Sequence, residues 1–254
     1  THGQAIALYA DGDRLIVDSC RLLGHQDTLF TAPLPPKEIQ KNGFIGPKQS
    51  APRLHRRQYY KNCYICGDID FIFGGATAYF ENCTIESLRH FPEETGQAQD
   101  GHIRAGQARV GQAQAGQARV GQAQAGQAQA GHVQGYVTAA STPEDKEYGY
   151  VFSNCKLISE ECPDGTVYLG RPWRNYARTV FLDCSFGKHI HPELFHDWNK
   201  PEARSTILYA LSHENLPEEY PDRADFVQEV KAEQLAFYTK EKVLAGEDGW
   251  KPES

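Results

Sequence analysis

Short frames in which polar and apolar residues alternate recur along the chain, each around a cysteine. The five frames are centred on Cys20, Cys63, Cys83, Cys155 and Cys184. In each frame a polar residue directly precedes the cysteine, and a polar residue and then an apolar one follow it. Alternation with a period of two is typical of a half-buried β-strand. The pattern therefore predicts one strand-forming unit that repeats through most of the chain.

A repeated strand unit predicts a β-solenoid, in which each coil must stack on the next to bury its apolar face. The 20 residues from Cys63 to Cys83 fit one coil. We expect the five cysteines to stack as an interior ladder, because free cysteine commonly behaves as a small buried hydrophobe. A metal site or a redox pair is the less favoured alternative. Asn62, Asn82 and Asn154 each precede a cysteine. We expect them to hydrogen-bond at a bend rather than to bind sugar.

No linker divides the chain, so residues 1–254 are expected to form one domain, with three segments that depart from the coil pattern. Residues 31–57 are rich in proline and glycine, which indicates a loop. Residues 96–131 carry a glycine every five positions and almost no large apolar side chain. A flexible insert without a catalytic role is predicted there, because a helix would lose about 1 kcal/mol at each glycine. Within 212–254, apolar residues recur at helical spacing and predict a helical tail packed against the solenoid.

The charge and hydropathy of the chain exclude some classes of partner. A net charge of −7 argues against a nucleic-acid-binding protein, which usually carries a basic patch for phosphate contacts. It does not argue against a polyanionic substrate. The sequence has no run of about 20 apolar residues, so no membrane span is expected.

Five short motifs occur in the same order as in a known enzyme family. They are residues 3–8 (GQAIAL), 24–29 (GHQDTL), 67–75 (GDIDFIFGG), 135–140 (GYVTAA) and 169–173 (LGRPW). Together they resemble the signature of pectin methylesterases, which remove methyl groups from esterified galacturonan. The loop at 31–57 resembles the bacterial branch of that family. The family's first coils, with an early Gly/Tyr/Glu motif, have no counterpart, so we expect amino-terminal coils to be missing from this sequence.

The resemblance implies an all-β, right-handed parallel β-helix, in agreement with the repeated strand unit. It implies a carboxylic ester hydrolase acting on methyl-esterified polygalacturonate, with methanol and pectate as products. No metal or other cofactor is implied, and a monomer is expected. We expect secretion because polymeric pectin lies outside the cell, although unpaired interior cysteines would also suit a reducing cytoplasm.

The resemblance also assigns catalytic roles, residue by residue. Asp70 is the expected nucleophile, and Asp27 the general acid and then the base. The side-chain amide of Gln26 would stabilise the oxyanion, with Gln4 as a second amide beside it. Arg171 would keep Asp70 ionised and oriented through charge-assisted hydrogen bonds.

Two aromatic residues complete the expected site. Trp173 would stack against a galacturonate ring, and Phe73 would help form the apolar wall that raises the pKa of Asp27. Asp68, next to a glycine, is expected to be a turn or cap residue. Three histidines are expected to be structural or surface residues, because the expected mechanism does not use them: His25, His191 and His196.

Other functions remain open at this point. The GxSxG motif of serine esterases is absent from the sequence. A pectate lyase or polygalacturonase could use the same solenoid, but a lyase typically needs a calcium site and a glycosidase a pair of acids about the glycosidic bond. A catalytically inactive pectin-binding β-helix is the third hypothesis.

Overall fold

The computed structural model describes residues 3–38, 49–90, 132–212 and 216–253. The strands in these ranges form three parallel sheets. Five successive coils each supply one strand to each sheet in turn, and two further strands extend one of the sheets. Coils built in this way stack into a parallel β-helix, which confirms the predicted all-β solenoid. The glycine-phased segment 96–131 lies outside the described residues, as do residues 39–48 of the predicted loop.

The three sheets are named A, B and C. Sheet A contains β1 (Leu8–Ala10), β4 (Leu29–Thr31), β7 (Ile69–Gly74), β10 (Gly135–Ala140) and β13 (Val167–Gly170). Sheet B contains β2 (Leu15–Asp18), β5 (Arg57–Lys61), β8 (Thr77–Glu81), β11 (Tyr150–Ser153), β14 (Arg178–Leu182), β16 (Leu208–Ser212) and β17 (Val227–Glu229). Sheet C contains β3 (Arg21–Leu23), β6 (Tyr64–Gly67), β9 (Thr84–Ser87), β12 (Lys156–Ile158) and β15 (Ser185–Phe186).

The bend from sheet B to sheet C depends on a single residue in the left-handed region, directly before each cysteine of the repeated frame. The residues and their φ angles are Ser19 (54°), Asn62 (54°), Asn82 (54°), Asn154 (52°) and Asp183 (49°). Asn and Asp adopt this region more readily than other residues with a side chain. Asn154 Nδ2 also donates to Asn82 Oδ1 of the preceding coil at 2.5 Å. These contacts support the structural interpretation of the asparagines.

The cysteine ladder inside the solenoid has four buried members rather than the five expected. Cys63, Cys83, Cys155 and Cys184 are buried, whereas Cys20 is exposed. Cys20 lies in the coil of β1, β2 and β3, and each of these strands is the edge of its sheet. A residue there has a stacking neighbour on one side only, which explains why its side chain stays exposed.

Beside the cysteines, large aromatic rings stack from coil to coil. Phe152 packs almost parallel to Phe80 at 4.4 Å between ring centroids and to Phe181 at 4.6 Å. Tyr60 continues the stack at 4.7 Å from Phe80. These rings are buried and belong to the main hydrophobic core. Such in-register stacking fixes the position of each coil relative to the next.

The carboxy-terminal tail combines one strand with short helices. Its helices are α1 (Leu216–Glu219), a 3₁₀ turn at Ala232–Phe237 and α2 (Lys240–Ala245); another 3₁₀ turn, Pro201–Ser205, precedes β16. The helical tail is thus confirmed at α2. The prediction was wrong at Val227, whose apolar neighbours suggested a helix, because Val227 pairs in parallel with Tyr209 at the edge of sheet B. That edge offers backbone hydrogen bonds that outweigh a local helical preference.

Helix α2 packs on the outside of sheet B. Its residues Val243 and Leu244 are buried in a second apolar cluster that includes Tyr59. Arg57 of β5 fastens the helix end, because Nη1 donates to the carbonyl of Ala245 at 2.9 Å and Nη2 to Asp248 Oδ2 at 3.0 Å. In the part of the chain that the structure describes, no helix is long and apolar enough for a membrane crossing, which needs about 20 residues.

The stacked rings predict a large effect of one truncation. Phe152→Ala removes a fully buried ring from the middle of the stack, so the free energy of unfolding should fall by about 3–5 kcal/mol. Phe237→Ala is the control, since that ring is 55% exposed and its loss should cost less than about 1 kcal/mol. Urea denaturation of both variants measures the difference. Similar losses would contradict this description of the core.

Candidate active site

Two aspartates, Asp27 and Asp70, lie on adjacent coils: Asp70 in β7 of sheet A, and Asp27 in the turn just before β4. The backbone N–H of Asp27 donates to the carbonyl of Ile69 at 3.2 Å, which places Asp27 beside the start of β7. Both aspartates adopt left-handed backbone conformations, with φ of 65° at Asp27 and 50° at Asp70. Both residues are more than nine-tenths buried: Asp27 is 9% exposed and Asp70 is 7% exposed. Unusual backbone conformations with buried charge are typical of functional sites.

A β-bulge orients Asp70. In β7, Asp70 and Phe71 together lie opposite the single residue Val137 of β10. Phe71 is fully buried in the core, whereas the Asp70 carboxylate contacts Arg171. The extra residue of a bulge changes the direction of the next side chain, which explains how a strand as apolar as β7 can present a carboxylate.

Arg171 forms a bidentate ion pair with Asp70. Its Nε donates to Oδ1 at 2.8 Å and its Nη2 to Oδ2 at 2.7 Å. The backbone of Arg171 is held by an N–H donated to the carbonyl of Thr138 at 2.9 Å. Gly170 allows this approach, because a Cβ there would lie 2.1 Å from Thr138 Oγ1. The parallel fork joins the carboxylate to the guanidinium by two charge-assisted hydrogen bonds and fixes its orientation.

Two aromatic rings hold the Arg171 guanidinium. Its Cζ lies 3.8 Å from the ring centroid of Tyr136 and 3.7 Å from that of Trp198. Burial opposes the charge of Arg171, yet the adjacent Asp70 carboxylate leaves its pKa raised. The sequence interpretation gave neither ring a role. Tyr136 lies within a matched motif, but no feature of the sequence indicated that Trp198 would reach Arg171.

The environment of Asp27 differs from that of Asp70. Burial raises the pKa of the Asp27 carboxyl well above its ordinary value, and the negative charge of Asp70 raises it further. Arg171 acts in the opposite direction, and Asp68 adds a smaller increase. Among the described residues, only Asp70 of this pair receives the Arg171 fork. One carboxyl group is therefore paired as an anion while the other favours its protonated form.

Gln4 and Gln26 lie on neighbouring coils next to the carboxylates. The N–H of Ala5 donates to the carbonyl of Gln26 at 3.2 Å, which joins the two segments. Both glutamines are half-buried. Neither side-chain amide hydrogen-bonds to another residue within the described ranges, so their N–H groups can donate to a bound molecule.

An aromatic row runs across sheet A, from β1 through β4 to β7. The ring centroids of Tyr9 and Phe30 are 4.5 Å apart, and those of Phe30 and Phe73 are 5.1 Å apart. Trp173 meets Phe73 edge to face at 5.8 Å. The two expected substrate-binding aromatics are thus in mutual contact. Burial is the largest cause of the pKa rise at Asp27, but the contribution of Phe73 to it stays a prediction.

A second aromatic group lies around Tyr168. Its ring stacks on Tyr136 at 5.5 Å and on His191 at 4.1 Å, and meets His196 at 5.2 Å. Burial lowers the pKa of both histidines, so their neutral forms are favoured. Through Tyr136, whose ring holds Arg171, this group adjoins the Arg171–Asp70 ion pair.

Asp68 has the local role expected of a turn residue. Its Oδ1 accepts a hydrogen bond from the backbone N–H of Ile69 at 2.6 Å. His90 Nδ1 lies 3.0 Å from Asp68 Oδ2, and His25 Nδ1 lies 3.6 Å from the same atom. His25 is largely exposed, with a side-chain exposure of 65%. Asp68 thus supports the backbone that leads into Asp70.

The raised pKa of Asp27 predicts a stability change that depends on pH. A carboxyl group whose pKa is raised on folding binds its proton more tightly in the folded state. The free energy of unfolding therefore falls as pH rises from the pKa of the unfolded state to the raised pKa of the folded state. Asp27→Asn removes the titrating group, and Asn tolerates the left-handed conformation. The variant should therefore be more stable than the parent at pH 8, on the order of 1 kcal/mol or more, with little difference near pH 3.5.

Urea denaturation at the two pH values measures this difference. Asp183→Asn is the matched control, because Asp183 has the same backbone conformation on an exposed bend. A gain at Asp27 that is equal at both pH values would contradict the argument.

Comparisons with known proteins identify the family of this chain. The pectinesterase family model matches residues 46–120 and 117–223. The probable pectinesterase A of Neosartorya fischeri is 31% identical over 209 residues, which cover 81% of this chain and 43% of that protein. The probable pectinesterase 8 of Arabidopsis thaliana is 28% identical over 248 residues, covering 97% of this chain and 48% of that one. The chain thus spans less than half the length of these relatives.

Solved structures are similar over nearly the whole chain. A pectin methylesterase in complex with a hexasaccharide is 26% identical with a TM-score of 0.61, covering 98% of this chain and 62% of that one. The carrot pectin methylesterase is 20% identical with a TM-score of 0.64. The match covers 96% of this chain and 60% of the carrot protein, and it supports the fold alone. The fold is accordingly the right-handed parallel β-helix. From the extent of the family match, this chain belongs to the pectinesterase family.

Proposed function

We propose that this chain is a carboxylic ester hydrolase that removes methyl groups from methyl-esterified galacturonan and releases methanol and pectate. The observation that carries the proposal is the unequal pair of carboxyl groups: Asp70 in a bidentate ion pair with Arg171, and Asp27 buried with a raised pKa. Ester hydrolysis through a carboxylate needs one ionised and one protonated acid at the same site.

In the first half of the reaction, an oxygen of Asp70 attacks the carbonyl carbon of the methyl ester. The negative charge moves to the former carbonyl oxygen, where the amides of Gln26 and Gln4 would donate hydrogen bonds. The carbon–methoxy bond then breaks, and Asp27 gives its proton to the leaving oxygen. Methanol leaves, and the galacturonyl group remains on Asp70 as an acid anhydride.

In the second half, water replaces Asp70 on the galacturonyl carbon. Asp27, now ionised, takes a proton from the water as the oxygen attacks. The bond to Asp70 breaks, which restores the Asp70 anion beside Arg171 and releases a galacturonic acid carboxyl group that loses its proton to water to become the carboxylate of pectate. No metal or cofactor takes part in these steps.

The aromatic surfaces supply the binding of sugar rings. Trp173 and the half-buried Phe73 offer apolar faces next to Asp70, which suits the apolar face of a pyranose ring. The structural relative with a bound hexasaccharide supports an extended saccharide as the ligand. We propose secretion, because the polymer lies outside the cell, and a monomeric enzyme.

One assay separates the proposed esterase from the other functions considered. Methyl-esterified pectin is incubated with the protein, and released methanol, polymer viscosity and unsaturated products are followed together. Methanol release without chain cleavage supports the esterase. Cleavage without methanol would indicate a lyase or polygalacturonase, and binding without either product would indicate an inactive pectin-binding β-helix.

The nucleophile is tested by Asp70→Asn, which should abolish methanol release but leave pectin binding in place. Asn keeps the size and the left-handed backbone of Asp70 while removing the attacking charge. Asp183→Asn, the same substitution at an exposed bend residue, should leave turnover unchanged. An Asp70→Asn variant with activity within about tenfold of the parent would remove Asp70 from this role.

The general acid is tested by Asp27→Asn. Turnover should fall by about 10² or more, because Asn cannot donate a proton to the leaving methoxide. Steady-state methanol release as a function of pH makes the measurement. A variant with both an unchanged rate and an unchanged pH profile would assign the proton donor to another group.

A further inference from the structure

Two cationic side chains that the proposed mechanism does not use converge beside Trp173. Arg174 Nη1 donates to the carbonyl oxygen of Trp173 at 2.8 Å, and Lys200 Nζ lies 3.3 Å from the same oxygen. Because they share an acceptor atom, the guanidinium and the ammonium group are close neighbours. Like charges at this separation repel each other, and an anion bound beside them would offset that repulsion.

The other polar contacts of these two cations are neutral. Lys200 Nζ donates to the carbonyl of Pro172 at 2.7 Å, and Arg174 Nη2 donates to the carbonyl of Lys37 at 3.0 Å. Within the described residues, neither side chain forms an ion pair with a carboxylate. Five other arginines among the described residues do form such pairs: Arg14, Arg56, Arg57, Arg171 and Arg204.

Burial leaves these charges poorly compensated. It lowers the pKa of Lys200 to about 8, with Arg174 and Arg171 acting in the same direction and Glu202 and Asp70 opposing them. It lowers the pKa of Arg174 to about 10. A half-buried cation without an anionic partner is costly, so an anion that binds there would be favoured.

The position of the pair is next to the candidate active site. The Arg174 guanidinium lies 5.0 Å from the ring centroid of Trp173. Lys200 Nζ lies 4.6 Å from the ring centroid of Trp198, the residue that covers Arg171. A ligand that contacts Trp173 while its reacting group is at Asp70 would therefore pass the two cations.

We propose that Arg174 and Lys200 form an anion subsite that takes the free carboxylate of a galacturonate ring neighbouring the ring under attack. The inference rests on the proposed function and specifies its substrate class as partly de-esterified galacturonan. An ionised carboxylate accepts charge-assisted hydrogen bonds from both side chains, whereas a methyl ester carries no charge to attract them. The subsite thus distinguishes the two forms of the polymer by charge.

The test compares binding of a charged product with turnover of an uncharged substrate. The affinity for unesterified trigalacturonate is measured by calorimetry, and kcat/KM is measured as methanol release from fully methyl-esterified trigalacturonate. The variants are Lys200→Gln and Arg174→Gln, which keep an N–H donor for the Trp173 carbonyl but remove the charge. Lys156→Gln, an exposed position in sheet C, is the matched control.

Each neutral variant should bind unesterified trigalacturonate about tenfold or more weakly at low salt, the scale of a lost hydrogen bond to a charged group. The loss should shrink as ionic strength rises. Turnover of the esterified substrate should stay within about threefold of the parent. Lys200→Arg should keep the affinity that Lys200→Gln loses, because arginine keeps the positive charge.

Unchanged affinity for the unesterified ligand in both variants would overturn the proposal. Equal losses with the two ligands would also overturn it, since they would show that the cations only brace the Trp173 segment. If a variant fails to fold, the salt dependence of the parent protein is the test. Its affinity for unesterified trigalacturonate should weaken with added salt, and an affinity independent of salt would overturn the proposal.

The outcomes also separate this inference from the proposed function. Charge-dependent binding without any methanol release would support the subsite and remove the esterase. Methanol release together with unchanged affinity in both Gln variants would support the esterase and remove the subsite.

Discussion

In-register stacking of successive coils is the constraint on which the rest of this structure depends. Backbone hydrogen bonds join each strand to the equivalent strand of the next coil. Equivalent residues of consecutive coils therefore lie directly above one another. The buried rings of Phe80, Phe152 and Phe181 stack because of it. The same register brings Asp27, in the turn before β4, beside the start of β7, which carries Asp70 43 positions later in the sequence.

At the candidate site, this rigid frame holds groups that would not come together by themselves. A buried Asp70 carboxylate would be costly alone, and the Arg171 fork offsets that cost. The fork itself requires the close approach of Arg171 to β10 and the two rings that hold its guanidinium. Asp27 is buried, lies near the negative charge of Asp70 and is outside the fork, so its protonated form is favoured. The asymmetry of the two acids thus follows from burial and from the pairing of Arg171 with Asp70 alone.

Much of the fold could be predicted from the sequence because its repeated unit is local. The cysteine frames indicated the strands, and the polar residue before each cysteine indicated the bend. The exposure of Cys20 could not be predicted, because it depends on the number of neighbouring coils. The strand at Val227 was missed because its partner, Tyr209, is distant in sequence. Asp70 could be singled out as a carboxylate before an apolar run, but the contact of Trp198 with Arg171 depends on the path of a loop that has no periodic pattern.

The central claim is that burial, together with the negative charge of Asp70, keeps the nearby Asp27 protonated. Carbon-13 NMR titration of the Asp27 carboxyl group, in the parent protein and in Asp70→Asn, measures this coupling directly. The account predicts that Asp27 titrates well above the ordinary range of an aspartate in the parent and that its midpoint moves down when the charge at position 70 is removed. An Asp27 that titrates in the ordinary range in the parent, or a midpoint that does not move in the variant, would contradict the account.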